Sequence, residues 1–231
     1  MTAALANESR TCRRLLVTAD ALRAHPDIAM YLAERRMSAE TVERLAIDAV
    51  VAGGAVHQGI ALAVEPLPEA DIQDLVHAAA RLEPAVVVVL DQVTDPHNIG
   101  AVMRSAAAFG ALGMVVTDRH APGETGTLAK AASGALECVL LVRAVNLARA
   151  LDELKTAGFW IAGLAGDAPI TLAAAKLSGR IALVLGAEGE GMRRLTRERC
   201  DLLVRLPQTD AVESLNVSNA AAVALYEMFR R

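Results

Sequence analysis

The chain has 231 residues, of which 54% are hydrophobic and only 3% aromatic, and a formal net charge of −4. That apolar content excludes a disordered chain, and the length suits one large domain or a medium domain joined to a small one. No apolar run is long enough to span a bilayer, Met1 to Arg10 lacks a hydrophobic signal core, and so a cytoplasmic protein without membrane contact is expected.

Cys12, Cys138 and Cys200 are odd in number and far apart, so neither a disulfide framework nor a metal site is expected. The acidic balance argues mildly against a nucleic-acid partner, because phosphate contacts need Lys and Arg, but local patches decide. Three exist: Arg10, Arg13 and Arg14; Arg193, Arg194, Arg197 and Arg199; Arg230 and Arg231. Each taken alone is more often a solvated face than a binding surface.

In chain order, residues 13–18 read as a short strand, Ala21 to Arg36 as a helix interrupted by Pro26, and Ala39 to Ala46 as a second amphipathic helix. Ile60 to Val64 reads as a strand, and Pro66 and Pro68 close this section. The first 66 residues therefore form a small α/β unit, followed by a linker helix within 67–84 and a larger domain over 85–231. After Pro84 the pattern changes. The run AVVVVL (85–90) is continuous and β-branched, as in a parallel strand buried on both faces. Helix and strand then alternate. Ile99, Val102, Ala106 and Phe109 recur at helical spacing; strands are expected at Gly113 to Thr117, Glu137 to Val142, Phe159 to Leu164, Ile181 to Leu185 and Leu202 to Leu206. Helices are expected at Asn146 to Ala157 and Ser214 to Phe229. The fold class is α/β: a mostly parallel sheet with helices on both faces.

Ligands of open parallel sheets bind beyond the carboxyl ends of strands, and three strand ends here are rich in polar residues. The first is LDQVTDPHNIGAVMRSAAAFG (90–110), where Asn98 opens a helix and Arg104 follows six residues later. Without a ligand, Asn98 would be an N-cap and Arg104 a surface residue, and His97 reads as an exposed loop histidine. The second is IALVLGAEGEGMRR (181–194), with Gly186, Gly189 and Gly191 at G-x-x-G-x-G spacing. That spacing is neither the dinucleotide fingerprint nor the Walker loop, which counts against a nicotinamide oxidoreductase. Two carboxylates, Glu188 and Glu190, suit a cationic or neutral ligand better than a phosphate. The third is VRLPQTDAVESLNVSNAAAVALYEM (204–228), where Ser214-Leu215-Asn216 opens the last helix; Ser214 as cap and Asn216 in water would be the purely structural arrangement.

Together and in this order, the three segments resemble the three motifs of the SpoU-like methyltransferases, of the SPOUT class of RNA-modifying enzymes. The resemblance covers about residues 85–231, and HQGIALAVEPLP resembles the end of the family's small L30e-like RNA-binding unit, here shortened at its start. The resemblance implies S-adenosylmethionine-dependent methylation of a ribose 2′-hydroxyl in RNA. The expected target is a guanosine of 23S rRNA, with a tRNA ribose, or a catalytically idle RNA-binding or ribosome-assembly factor, as alternatives. It also implies a C-terminal trefoil knot and a homodimer with the active site at the interface. Carried over motif by motif, Asn98, Arg104, Glu188, Ser214 and Asn216 are the catalytic set, and loops around Gly186, Leu206 and Leu215 form the cofactor bed. One departure is Gln208-Thr209-Asp210, where the family usually carries Met and Gly after the third-motif Pro.

Overall fold

The computed structural model describes residues 1–119, 121–209 and 211–230; His120, Asp210 and Arg231 lie outside the described residues. The chain divides into two compact units, one ending at Pro68 and the other beginning at Glu69.

The first unit runs α1 (Thr2–Ala6), β1 (Cys12–Val17), α2 (Ala19–Ala24), α3 (Ile28–Glu34), β2 (Ala39–Thr41), α4 (Arg44–Asp48) and β3 (Ile60–Val64). Its three strands pair in the order β2-β1-β3, parallel to β2 and antiparallel to β3. Pro26 splits the expected long helix into α2 and α3, since proline lacks the N–H that would continue it. The amphipathic helix expected over Ala39 to Ala46 is a short strand and then α4. Ala39, Glu40 and Thr41 lie against Leu15, Leu16 and Val17 of β1, and this pairing outweighs a weak local helical preference. Leu15, Ile28 and Leu32 form a small core. Arg35 donates to the carbonyls of Leu5, Asn7 and Arg10, tying the N-terminal turn down.

The second unit runs α5 (Ile72–Ala79), β4 (Ala85–Leu90), α6 (Pro96–Ala108), β5 (Gly113–Thr117), α7 (Gly126–Ala132), β6 (Leu140–Ala144), α8 (Leu147–Thr156), β7 (Trp160–Leu164), β8 (Ile170–Thr171), α9 (Leu172–Ala175), β9 (Arg180–Leu185), α10 (Arg194–Glu198), β10 (Leu202–Arg205) and α11 (Val217–Phe229). The sheet is seven-stranded, ordered β6-β5-β4-β9-β7-β10-β8, and its ladders are parallel. Alternation along the strands builds two cores. Val88 and Leu90 of β4 face α6, α7 and α11, while Val87 and Val89 face α5 and α8. Each fully buried Val or Leu contributes about 1.5–3 kcal/mol, which is why β4 and β9, buried on both faces, anchor the sheet. The strand expected from Glu137 begins later: Ala135–Glu137 is a 3-10 turn, and β6 starts at Leu140. β8, α7, α9 and α10 are too short for periodicity to announce them. No helix of the described residues is long and apolar enough to cross a membrane.

The three cysteines are free. Burial pushes the Cys200 thiol from its ordinary value of 9.0 up to about 11. Its neutral form is favoured by folding, so this contribution to stability is complete below about pH 9 and declines as pH rises toward 11. At pH 8, exposed Cys138 should react with a disulfide reagent at least roughly tenfold faster than Cys200. Mass spectrometry of a labelling time course checks this, and equal rates would contradict it.

Candidate active site

The site grows from the carboxyl ends of β4, β9, β7 and β10. β9 ends at Leu185, and residues 186–193 form a tight loop closed by paired hydrogen bonds between Ala187 and Gly191 (3.2 and 2.9 Å). Gly186 is required by close approach: a Cβ there would stand 2.0 Å from the Gly191 carbonyl carbon and 2.2 Å from the Met192 nitrogen. Gly189 turns with φ of 77° in open space. The far end of the loop is pinned to β4. Asp91, fully buried just past Leu90, accepts from the Arg193 backbone N–H (2.8 Å) and from its Nε (2.7 Å).

This carboxylate holds the glycine loop in register with the neighbouring strand end. Breaking a buried ion pair costs about 3–5 kcal/mol, and Arg193 keeps some solvent, so Asp91→Ala should cost about 3 kcal/mol. For a chain of this size that lowers the melting temperature by roughly 6–12 °C. Thermal unfolding followed by circular dichroism checks it; a change under about 2 °C would exclude this pinning role.

Beside the loop lies a cavity of about 400 Å³, within the range of small-molecule sites. Leu164, Leu185, Leu206 and Leu215 supply apolar walls, and the Gly186–Gly191 backbone forms one side. Among the described residues, four carboxylates, Asp167, Glu188, Glu190 and Glu213, face it, against one cation, Arg197. Arg197 is itself held by both Asp167 oxygens (3.1 and 2.8 Å), and these hydrogen bonds keep the Asp167 carboxyl below its usual range. The cavity therefore presents surplus negative charge, which suits a ligand carrying a positive centre.

At its rim the three sequence segments meet. The Asn216 side-chain amide donates to Asn98 Oδ1 (3.0 Å) and to the Glu188 carboxylate. Glu188 also accepts from the Val217 N–H (3.2 Å), a negative charge at the start of α11 where the helix dipole favours it. The structure corrects both helix starts. Asp95, not Asn98, caps α6, accepting from the His97 N–H with Pro96 at the first position. Asn216, not Ser214, caps α11, accepting from Ser218. Asn98 is thereby freed to bind Asn216, and Asn216 turns its amide inward rather than to water.

Of the other expected residues, Gly186, Leu206, Leu215 and Ser214 line the cavity, and Ser214 is exposed. Arg104 stands on the exposed side of α6, does not line the cavity, and has no hydrogen-bond or ion-pair partner among the described residues. His97 is exposed. Asp210, within the departing Gln208-Thr209-Asp210 run, lies outside the described residues, and Gln208 lines the cavity. The basic patches are largely neutralised: Arg13 by Glu65, Arg14 by Glu40, Arg194 by Glu198, Arg199 by Asp152 and Arg230 by Glu227. Arg10 is buried and donates to the Glu65 carbonyl.

Sequence reasoning missed Asp91, Asp167 and the Leu164–Gly166 turn. Asp91 carried a usable signal, a carboxylate immediately after a wholly apolar strand; Asp167 and the turn carried none, because nothing local marks them as neighbours of β9.

An all-parallel sheet with a cavity and a convergent polar cluster at its carboxyl edge defines the class: an α/β protein with a ligand site at its strand ends. The SpoU methyltransferase AviRb from Streptomyces viridochromogenes, solved in complex with AdoMet, matches with a TM-score of 0.80 at 24% identity, over 99% of this chain and 86% of that one. Residues 85–226 match the SpoU rRNA Methylase family, and residues 2–70 match a family described as RNA 2′-O ribose methyltransferase substrate binding. The chain is 48% identical over 181 residues to the 23S rRNA (guanosine-2′-O-)-methyltransferase RlmB of Vibrio vulnificus, covering 78% of this chain and 73% of that protein. It is 43% identical to RlmB of Xylella fastidiosa (strain Temecula1), over 97% of this chain and 91% of that one. The chain belongs to the SpoU rRNA methylase family.

Proposed function

We propose that this protein transfers a methyl group from S-adenosylmethionine to the ribose 2′-hydroxyl of a guanosine in 23S rRNA. The observation that carries the reading is the convergence of Asn98, Glu188 and Asn216 on the rim of an acidic cavity built by the glycine loop. The cavity fits the cofactor. Its volume suits a small molecule, its walls offer backbone and leucine side chains, and its carboxylates favour a sulfonium. Gly186, Leu206 and Leu215 would hold it; when bound it supplies an activated methyl group.

The protein's own tasks are then to hold the hydroxyl in line with that methyl and to manage its proton. Glu188, fixed by Asn216 and the α11 N-terminus, shapes the rim. Arg104 remains available to RNA because nothing among the described residues engages it. A guanidinium is charged at all ordinary pH, so Arg104 acts either as a clamp on a phosphate and a developing alkoxide or, if strongly perturbed, as the base.

The homodimer belongs to the same proposal. α11 exposes Val223, Tyr226 and Phe229, and Phe109 sits 5.8 Å from both of the latter rings, giving an apolar stripe that a second copy would cover. The threaded C-terminal helix is also part of this reading; the order β7-β10-β8, with β10 last in sequence, supports a chain that enters between strands already placed. A cytoplasmic setting, where three free thiols stay reduced, belongs to the same proposal. The deciding test is transfer of labelled methyl from S-adenosylmethionine to unmodified 23S rRNA and to tRNA, with nucleoside analysis. 2′-O-methylguanosine in rRNA is expected. Label confined to tRNA would move the substrate, and no label with intact cofactor binding would defeat the enzymatic reading.

A further inference from the structure

A second cavity, of about 620 Å³, opens at the carboxyl ends of β5 and β6, on the other side of Asp91 from the cofactor cavity. Among the described residues its lining carries three arginines, Arg119, Arg193 and Arg194, and one carboxylate, Asp118; Arg193 and Arg194 are paired with Asp91 and Glu198, which leaves Arg119. Arg119 is exposed and has no partner among the described residues. The first turn of α8 also faces it. Asn146 takes up the Arg149 N–H with its own side chain, and the N–H groups of Leu147 and Ala148 have no acceptor among the described residues.

A helix end alone would mean little, but Thr117 gives an independent sign. Thr117 lines the same cavity, is 93% buried (7% exposed), and its hydroxyl is the buried side-chain atom without a hydrogen-bond partner among the described residues. Strand alternation puts it on the face of Val115, which packs with Leu147 and Leu151, so the hydroxyl belongs to the α8 side of the sheet. A buried hydroxyl left without a partner is destabilising. A buried hydroxyl, a cation and two helix amides, none with a partner among the described residues, border one space, with Arg193 and Arg194, already paired with Asp91 and Glu198, beside it; a phosphate is the group that would take up the unpartnered donors.

We propose that this cavity binds a phosphate, and that in the working enzyme it is a backbone phosphate of the substrate RNA. The position supports that source. Arg193, the last residue of the glycine loop, lines this cavity while its neighbour Met192 lines the cofactor cavity, so an occupant here lies against the end of the loop that shapes the reaction centre. The RNA assignment rests on the proposed function; the phosphate site itself does not.

Two probes on the full chain test it: inorganic phosphate, followed by phosphorus NMR titration, and an unmodified 23S rRNA transcript, followed by filter binding across a salt series. Thr117→Val preserves shape and removes only the hydroxyl. It should weaken phosphate binding roughly tenfold, while the melting temperature stays level or rises because the orphaned group is gone. Opposite signs in one variant separate a ligand donor from a merely structural threonine. Arg119→Ala should weaken phosphate likewise, weaken the transcript, and flatten the salt dependence by about one unit of slope. Cofactor affinity should be unchanged in both. Phosphate affinity equal to wild type in folded Thr117→Val and Arg119→Ala overturns the site. Loss of phosphate binding with wild-type transcript affinity and salt slope overturns the RNA source and leaves a free anion. Wild-type protein that binds phosphate at this site but methylates nothing would defeat the proposed function without touching this inference.

Discussion

Replacing Arg104 with alanine should lower methyl transfer by roughly 10³-fold or more while leaving the affinity for S-adenosylmethionine within about twofold. The two halves of that expectation come from separate observations. Arg104 is exposed on α6 with no partner among the described residues, so its removal disturbs no contact that holds the fold. It is absent from the lining of the cofactor cavity, so ligand binding there should not notice its loss. Yet it shares a helix with Asn98, whose side chain reaches the Asn216–Glu188 pair at the cavity rim. Single-turnover rates on a saturating rRNA transcript, with calorimetric cofactor titration, check both halves. Near-normal turnover would exclude both forms of the Arg104 mechanism. Arg104→Lys then separates them, because a lysine in such a site can titrate where a guanidinium cannot. Rescue confined to high pH supports a base, and rescue that is flat with pH supports an electrostatic clamp.

The second large effect is expected at Gly186. A Cβ at this position would lie 2.0 to 2.2 Å from three backbone atoms of Gly191 and Met192, so nothing flexible can yield. Relief requires the loop to open and the hydrogen bonds between Ala187 and Gly191 to break. Gly186→Ala should therefore reduce cofactor affinity at least roughly tenfold and lower stability by about 3 kcal/mol, the upper end of overpacking costs. Gly189→Ala is the informative comparison. Its φ of 77° makes a side chain strained, but nothing lies within 4 Å of the added carbon. It should cost about 1 kcal/mol and leave binding nearly intact. Equal losses for the two would mean that loop conformation, rather than the close approach at Gly186, governs cofactor binding.

Both expectations depend on a site that the sequence outlined unevenly. The three polar segments were visible as strand ends followed by glycine or Asn/Ser-rich turns, and their joint resemblance to one family grouped Asn98, Arg104, Glu188, Ser214 and Asn216 before any coordinates; the hydrogen bonds join Asn98, Glu188 and Asn216. Their roles were not visible. Asn98 and Asn216 each read as an N-cap or its neighbour, because those residue types favour such positions everywhere. The contact between them spans 118 residues of chain. Asp91 and Arg193, 102 residues apart, are a pair for the same reason. Local spacing carries no information at that range.

What the sequence by itself determined is the α/β class, the helices on both faces and the central strands. Buried parallel strands write themselves as unbroken β-branched runs such as 85–90, and long helices carry a repeating apolar face. What only the tertiary structure decided is the strand order β6-β5-β4-β9-β7-β10-β8, the fate of Ala39–Thr41 as an edge strand, and the pairing of each surface arginine with its acid. It also decided that the Thr117 hydroxyl and Arg119, neither with a partner among the described residues, share a cavity with the α8 terminus. These depend on which distant segments come together, and that is set by the sum of many small burial and pairing terms rather than by any residue's own preference.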